Sequence, residues 1–167
     1  MPVNVDFEYR ISTGIEGVRE TMVLMRSIVR KAKADPAVIL KARALTGAVR
    51  GKDWFGEAAA LHRYVRDSIR YVMDPAGVET LSTPARLMEI GAGDCDDKAT
   101  LLAALLESIN HPTRFVAIGL TGGTLEHVYV ETKIGDDWIP LETTEPVAAG
   151  ALPFAPDEVK NRYVVHN

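Results

Sequence analysis

The chain has 167 residues, 47% of them hydrophobic and 25% charged, with a formal net charge of −4. That length fits one domain able to bury about 70% of its unfolded surface, and the composition is that of an ordinary globular protein. The acidic balance argues against a nucleic-acid partner, which would want a basic face, no stretch approaches the roughly 20 apolar residues of a membrane span, and one cysteine cannot make an internal disulfide.

The first residues, MPVNVDFEYR, alternate apolar and charged side chains instead of offering an apolar signal core, so the cytoplasm is the expected compartment. Val3, Val5, Phe7, Tyr9 and Ile11 repeat at period two, which predicts a half-buried strand. From Gly14 the period lengthens: Val18, Met22, Met25, Ile28 and Val29 predict an amphipathic helix running to about Ala34. Its methionines read as core at this spacing. The basic cluster Arg30, Lys31 and Lys33 reads as a solvated helix face. Asp35-Pro36 is an N-cap and N1 pair for a second helix through Val49, ended by Gly51. A third helix carries Trp54, Ala58, Leu61, Tyr64, Val65 and Ile69 on one side. Met73–Ser82 reads as a loop, and Thr83-Pro84 caps a short helix to Ile90.

Gly91 and Gly93 then interrupt the chain, and GAGDCDDKATLLAALLESIN begins. Asp94 is an N-cap, so Cys95 falls in the first turn of a helix bearing Leu101, Leu102, Leu105, Leu106 and Ile109. Free backbone N–H groups and the helix dipole favour a thiolate there, although Asp94, Asp96 and Asp97 crowd it and oppose one. The acids are therefore expected to point away, with Asp94 capping the backbone and Asp97 bonded elsewhere. The thiol pKa should then fall below the usual value of about 8.5. Beyond the helix the chain is β-rich: Thr113–Leu120, His127–Ile134, Trp138–Leu141 and Arg162–His166, with turns at Gly122-Gly123 and Gly135-Asp136-Asp137. Helices first and antiparallel strands second is the α+β pattern.

Four histidines could serve Cys95 as a base. His62 lies mid-helix on a polar flank, His111 follows a helix end and His166 nearly ends the chain, so each reads as structural or solvated. His127 opens a strand, from which an imidazole can project into a cleft. Glu142 ends the next strand, and a hairpin would bring it beside His127 to hold the ring tautomer. An ordinary strand-end acid is the alternative reading of Glu142. One Cys and one His at this separation are a poor zinc set, so neither metal nor cofactor is expected.

The ordered stretches GDCDDKATLLAALLESINHPTRFVAIG, LEHVYVE and DDWIPLETT resemble the core of the transglutaminase-like superfamily. Gly93, Cys95, Asp97 and Ala99 match its Gly-x-Cys-x-Asp-x-Ala element, and Pro112 and Arg114 match the step into a strand. His127 matches the histidine element, with Tyr129 where tryptophan is usual. Trp138, Leu141 and Thr144 match the last element, in which Glu142 stands for the family's aspartate. The upstream IRYVMDPAGVE resembles versions associated with tailed-phage and prophage gene clusters. The resemblance covers about Ile69 to Thr144. It frames a single domain over 1–167, in which 1–68 is an N-terminal strand and helical embellishment, 69–144 the core, and 145–167 a C-terminal loop and strand.

The resemblance implies a papain-like α+β fold, with the cysteine at a helix N-terminus against an antiparallel sheet. It also implies acyl transfer on a protein or peptide amide. Cys95 would attack, its backbone N–H would help hold the oxyanion, His127 would move the proton, and Glu142 would orient the imidazole. With water as acceptor the chain is a cysteine peptidase or amidase, which is the preferred reading. With a lysine amine it is a cross-linking transglutaminase, and a non-catalytic binding or assembly module on the same fold is the third possibility. Oligomeric state is not legible here.

Overall fold

A computed structural model of the chain describes residues 12–75 and 79–167. The strand expected over Val3–Ile11 lies outside the described residues. Among the described residues the helices are α1 (Gly14–Ala32), α2 (Pro36–Thr46), α3 (Trp54–Ser68), α4 (Pro84–Ile90) and α5 (Cys95–Ser108). The strands are β1 (Arg70–Tyr71), β2 (Ala92–Gly93), β3 (Thr113–Gly119), β4 (His127–Ile134), β5 (Asp137–Leu141) and β6 (Asn161–His166). The long strands form one antiparallel sheet in the order β5-β4-β3-β6. Helices first and sheet second is the α+β architecture expected.

The starts of the elements follow from their caps. Asp35 accepts from Ala37 N–H at 2.8 Å and Asp53 from Gly56 N–H at 2.8 Å, each filling one of the donors a helix start leaves open. α2 stops at Thr46, short of the expected Gly51, because the chain tightens into a turn in which Val49 N–H donates to the Thr46 carbonyl at 2.9 Å. Sequence reading missed β1 and β2, a two-residue parallel pair with Arg70 opposite Ala92 and Tyr71 opposite Gly93. Two-residue strands carry no periodicity to read.

α5 is the centre of the fold. Asp97 to Leu106 are all buried, and residues 101–106, apolar at every position, have to be enclosed. α1, α2, α3 and α4 pack around it, and β3 and β4 close the remaining side. Each of its fully buried leucines contributes about 1.5–3 kcal/mol by leaving water. Met22 and Met25 are core, at 1% and 0% exposure. Phe115, Ala117, Val130 and Leu141 face this core, while Val116, Ile118 and Tyr129 pack on the other side of the sheet against Leu152 and Phe154.

Lys98 sits in this helix with 2% exposure, and its Nζ donates to the carbonyls of Ile69 at 2.7 Å and Arg66 at 3.3 Å. Those carbonyls lie at the end of α3, where a positive charge is favourable. Burial pulls the Lys98 pKa down, and the charges of Glu142 and Asp67 hold it up.

Candidate active site

Cys95 is the first residue of α5, and the segment before it is held by close packing. A Cβ on Gly93 would lie 2.7 Å from Asp97 Cβ and 2.8 Å from Leu87 Cδ1. Only glycine therefore lets α4 and the first turn of α5 approach this closely. Asp94 caps the helix by accepting from Asp97 N–H at 3.1 Å, and Asp97 accepts from Ser82 N–H at 2.8 Å. These two acids serve the backbone, as expected. Burial pushes the Asp97 carboxyl up to about 6, with Asp94 and Asp74 adding to the effect.

Asp96 behaves otherwise. Its Oδ1 accepts the hydrogen bond of the Cys95 thiol at 3.5 Å. The expected fall in the thiol pKa is therefore corrected. Burial pushes it well up, the charges of Asp96 and Asp94 push in the same direction, and the Val128 N–H opposes them without prevailing. Helix-end amides are outweighed because the sulfur is desolvated and faces a carboxylate. The resting group is a protonated thiol. Asp96 itself is pushed up by burial and by its neighbours Asp94 and Glu79.

Asp96→Asn removes the opposing charge, so the pH at which iodoacetamide begins to react quickly with Cys95 should move down. Below that inflection the rate should rise about tenfold per pKa unit gained. In the native protein the inflection should lie above the ordinary thiol value of about 8.5. An unchanged inflection in the variant would remove Asp96 from this account.

His127 is the first residue of β4, opposite Ile118 of β3. The chain enters it from a loop folded tightly back on β3. Glu126 N–H donates to the Ile118 carbonyl at 2.8 Å, and a Cβ on Gly119 would meet the Thr124 carbonyl oxygen at 1.8 Å. The ladder between β4 and β5 ends with Val130 opposite Leu141. One further step sets Glu142 opposite Tyr129, and the two-residue period puts Tyr129 and His127 on one face. His127 Nε2 accordingly bonds Glu142 Oε2. The ring also stacks near Tyr129, with centroids 6.4 Å apart and planes at 25°.

Glu142 is wholly buried. Its Oε1 accepts from Thr144 N–H at 2.6 Å and from Thr144 Oγ1 at 2.7 Å. Burial raises its pKa, but the bond and charge of His127, with the Thr144 donors, outweigh that and lower it overall. Glu142 is thus an ionised carboxylate that can only accept. His127 Nε2 must carry the proton, which leaves Nδ1 as the basic nitrogen of the ring.

Cys95 and His127 line one cavity of about 180 Å³, together with Thr21 and Met22 of α1, Glu79 and Asp96. Sequence reading missed the part taken by α1. It also assigned His62 to a polar flank, whereas the side chain is 1% exposed and its Nε2 meets the backbone carbonyl of Glu142 at 2.5 Å. The signal was present, since His62 lies on the stripe of Ala58, Leu61 and Val65. His111 is buried too, paired with Glu57 at 2.7 Å, and His166 sits edge-on to Trp138. Among the described residues no group of three or more His, Cys, Asp or Glu side chains is arranged to hold a metal ion.

The model of the transglutaminase-like superfamily matches residues 39–143. This chain belongs to that superfamily. Solved structures share its fold. A proposed cysteine protease from Cytophaga hutchinsonii superposes with a TM-score of 0.53 at 18% identity, over 78% of this chain and 46% of the other. A proposed protease from Parabacteroides distasonis gives 0.59 at 11% identity, over 74% and 26%. LapG of Legionella pneumophila gives 0.54 at 18% identity, over 83% and 77%. The chain thus spans less than half the length of the first two. No curated protein sequence matches it. Among the described residues no helix of this superfamily member is long and apolar enough to cross a membrane.

Proposed function

We propose that this chain is a thiol-dependent acyl-transfer enzyme acting on a protein or peptide amide, with water as the acceptor. One observation carries the reading: Cys95 and His127 face the same cavity, and the second nitrogen of His127 is held by the buried Glu142. A nucleophile, a base and a group that orients the base are the parts such chemistry needs.

Because the resting thiol is protonated, its proton passes to His127 Nδ1 as the sulfur bonds to the substrate carbonyl carbon. Negative charge gathers on the carbonyl oxygen, near the backbone N–H of Cys95 at the start of α5. The imidazolium, paired with Glu142, then gives the proton to the leaving amine, and the C–N bond breaks to leave a thioester on Cys95. Water attacks the thioester as His127 takes its proton, and the free thiol and a carboxylate are released. Hydrolysis is supported by the two structural neighbours described as proteases.

The test is a peptide mixture incubated with the protein in ¹⁸O-labelled water, with acid quenching and mass spectrometry. A thioester on Cys95 and label in each new carboxylate are expected, both absent from Cys95→Ala. Incorporation of an added primary amine instead of label would make the enzyme a transamidase. Cleavage that persists in Cys95→Ala would remove Cys95 as the nucleophile, and neither cleavage nor thioester with any peptide would leave the fold serving as a binding or assembly module.

A further inference from the structure

We infer that His62 is a positioning residue for this chemistry, fixing the main chain of Glu142 so that its carboxylate meets His127; the inference rests on the catalytic reading above. The reason begins with the residue type at 142. Glutamate carries one methylene more than the aspartate of the family pattern, which adds about 1.5 Å of reach. The added rotatable bond gives the carboxylate more ways to miss the imidazole unless its main chain is fixed. The β4–β5 ladder ends at Leu141 and does not itself extend to Glu142. Beyond that pair the Glu142 carbonyl has no strand partner.

α3 supplies one. His62 is buried on the apolar stripe of that helix, and its Nε2 lies against the Glu142 carbonyl oxygen. A carbonyl can only accept, so Nε2 carries the hydrogen and donates it. Burial lowers the His62 pKa, with the nearby Arg66 adding to the effect against the Glu142 carbonyl and carboxylate. The neutral ring consequently grips the backbone without competing with His127 for the charge of the carboxylate. Glu142 is then fixed at both ends. Thr144 holds Oε1, His62 holds the carbonyl, and Oε2 is left aimed at His127. A base has to be held this closely, since about 1 Å of misplacement can cost on the order of 10²-fold in rate.

The experiment uses the full chain and two readouts that a purely structural role would leave unmoved. The first is the low-field proton resonance of His127 Nε2–H in water, assigned by its loss in Glu142→Gln. The second is the rate at which p-nitrophenyl acetate acylates Cys95. In His62→Phe, which fills the space but donates nothing, the resonance should shift upfield and broaden. Acylation should fall about tenfold or more, out of the 10²–10⁴-fold that a positioned base supplies, at unchanged KM. His62→Gln, whose amide can still donate, should recover both to near the native level. Should His62→Phe not fold, His62→Asn makes the same comparison, its shorter amide failing to reach the carbonyl.

Native-like resonance and acylation in the folded Phe or Asn variant would overturn the inference and leave the catalytic reading intact. A native protein with neither the resonance nor Cys95 acylation would overturn the catalytic reading, and this inference with it.

Discussion

Glu142→Gln is expected to lower turnover by approaching 10⁴-fold while changing substrate binding little, the size of effect seen when an orienting carboxylate is made an amide. The direction comes from the donors around the side chain. Thr144 N–H is a fixed donor at 2.6 Å from Oε1, so the new amide must turn its oxygen there and its NH₂ toward His127. Two donors then face each other, and the imidazole relieves the clash by moving its proton from Nε2 to Nδ1. The nitrogen that served as the base now carries a hydrogen. The variant keeps its packing volume, so its fold should survive, and kcat and KM for any peptide amide that the native chain hydrolyses are the measurement. Unchanged kcat would reduce Glu142 to a buried structural acid and leave a Cys95–His127 pair.

Gly119→Ala should be the most damaging single methyl in the sheet. Its Cβ would stand 1.8 Å from the Thr124 carbonyl oxygen and 2.9 Å from the carbonyl carbon. These are backbone atoms, so no rotamer change can make room. Overpacking of this kind costs about 1–3 kcal/mol, and the upper end applies because the obstacle is main chain. The displaced loop leads straight into His127, so activity should fall along with stability. Gly51→Ala is the matched control, since a Cβ there meets nothing within 4 Å. Urea unfolding midpoints of the two variants decide the matter: a Gly119→Ala midpoint close to that of the control would mean that the loop gives way freely.

Much of this arrangement could be read from residue order. The N-cap at Asp94, the leucine-rich helix after Cys95 and the bounds of β4 all rest on local signals, a short polar cap and a period of 3.6 or 2. These are properties of neighbours in the chain, and the structure reproduces them. What was misjudged depends on neighbours in space. The helix start that favours a Cys95 thiolate is visible in sequence, whereas the burial of the sulfur and the turn of Asp96 toward it are not. The polarity of His62 suggests a solvated flank, but its position among Ala58, Leu61 and Val65 puts it on the buried stripe. Nothing local could reveal that its partner would be a carbonyl 80 positions away. The contribution of Thr21 and Met22 to the cavity was hidden for the same reason, since a helical period tells which face is covered and not what covers it.

The two halves of the site differ in how firmly they are anchored. α5 is enclosed from Asp97 to Leu106, so the amides of that stretch should exchange with solvent only through openings that approach global unfolding. His127 stands at the front of β4, behind a stretch exposed from Leu120 to Thr124, where local fraying costs far less. Hydrogen exchange should therefore be graded across the site, slow at the amides of residues 101–106 and fast at those of residues 120–124.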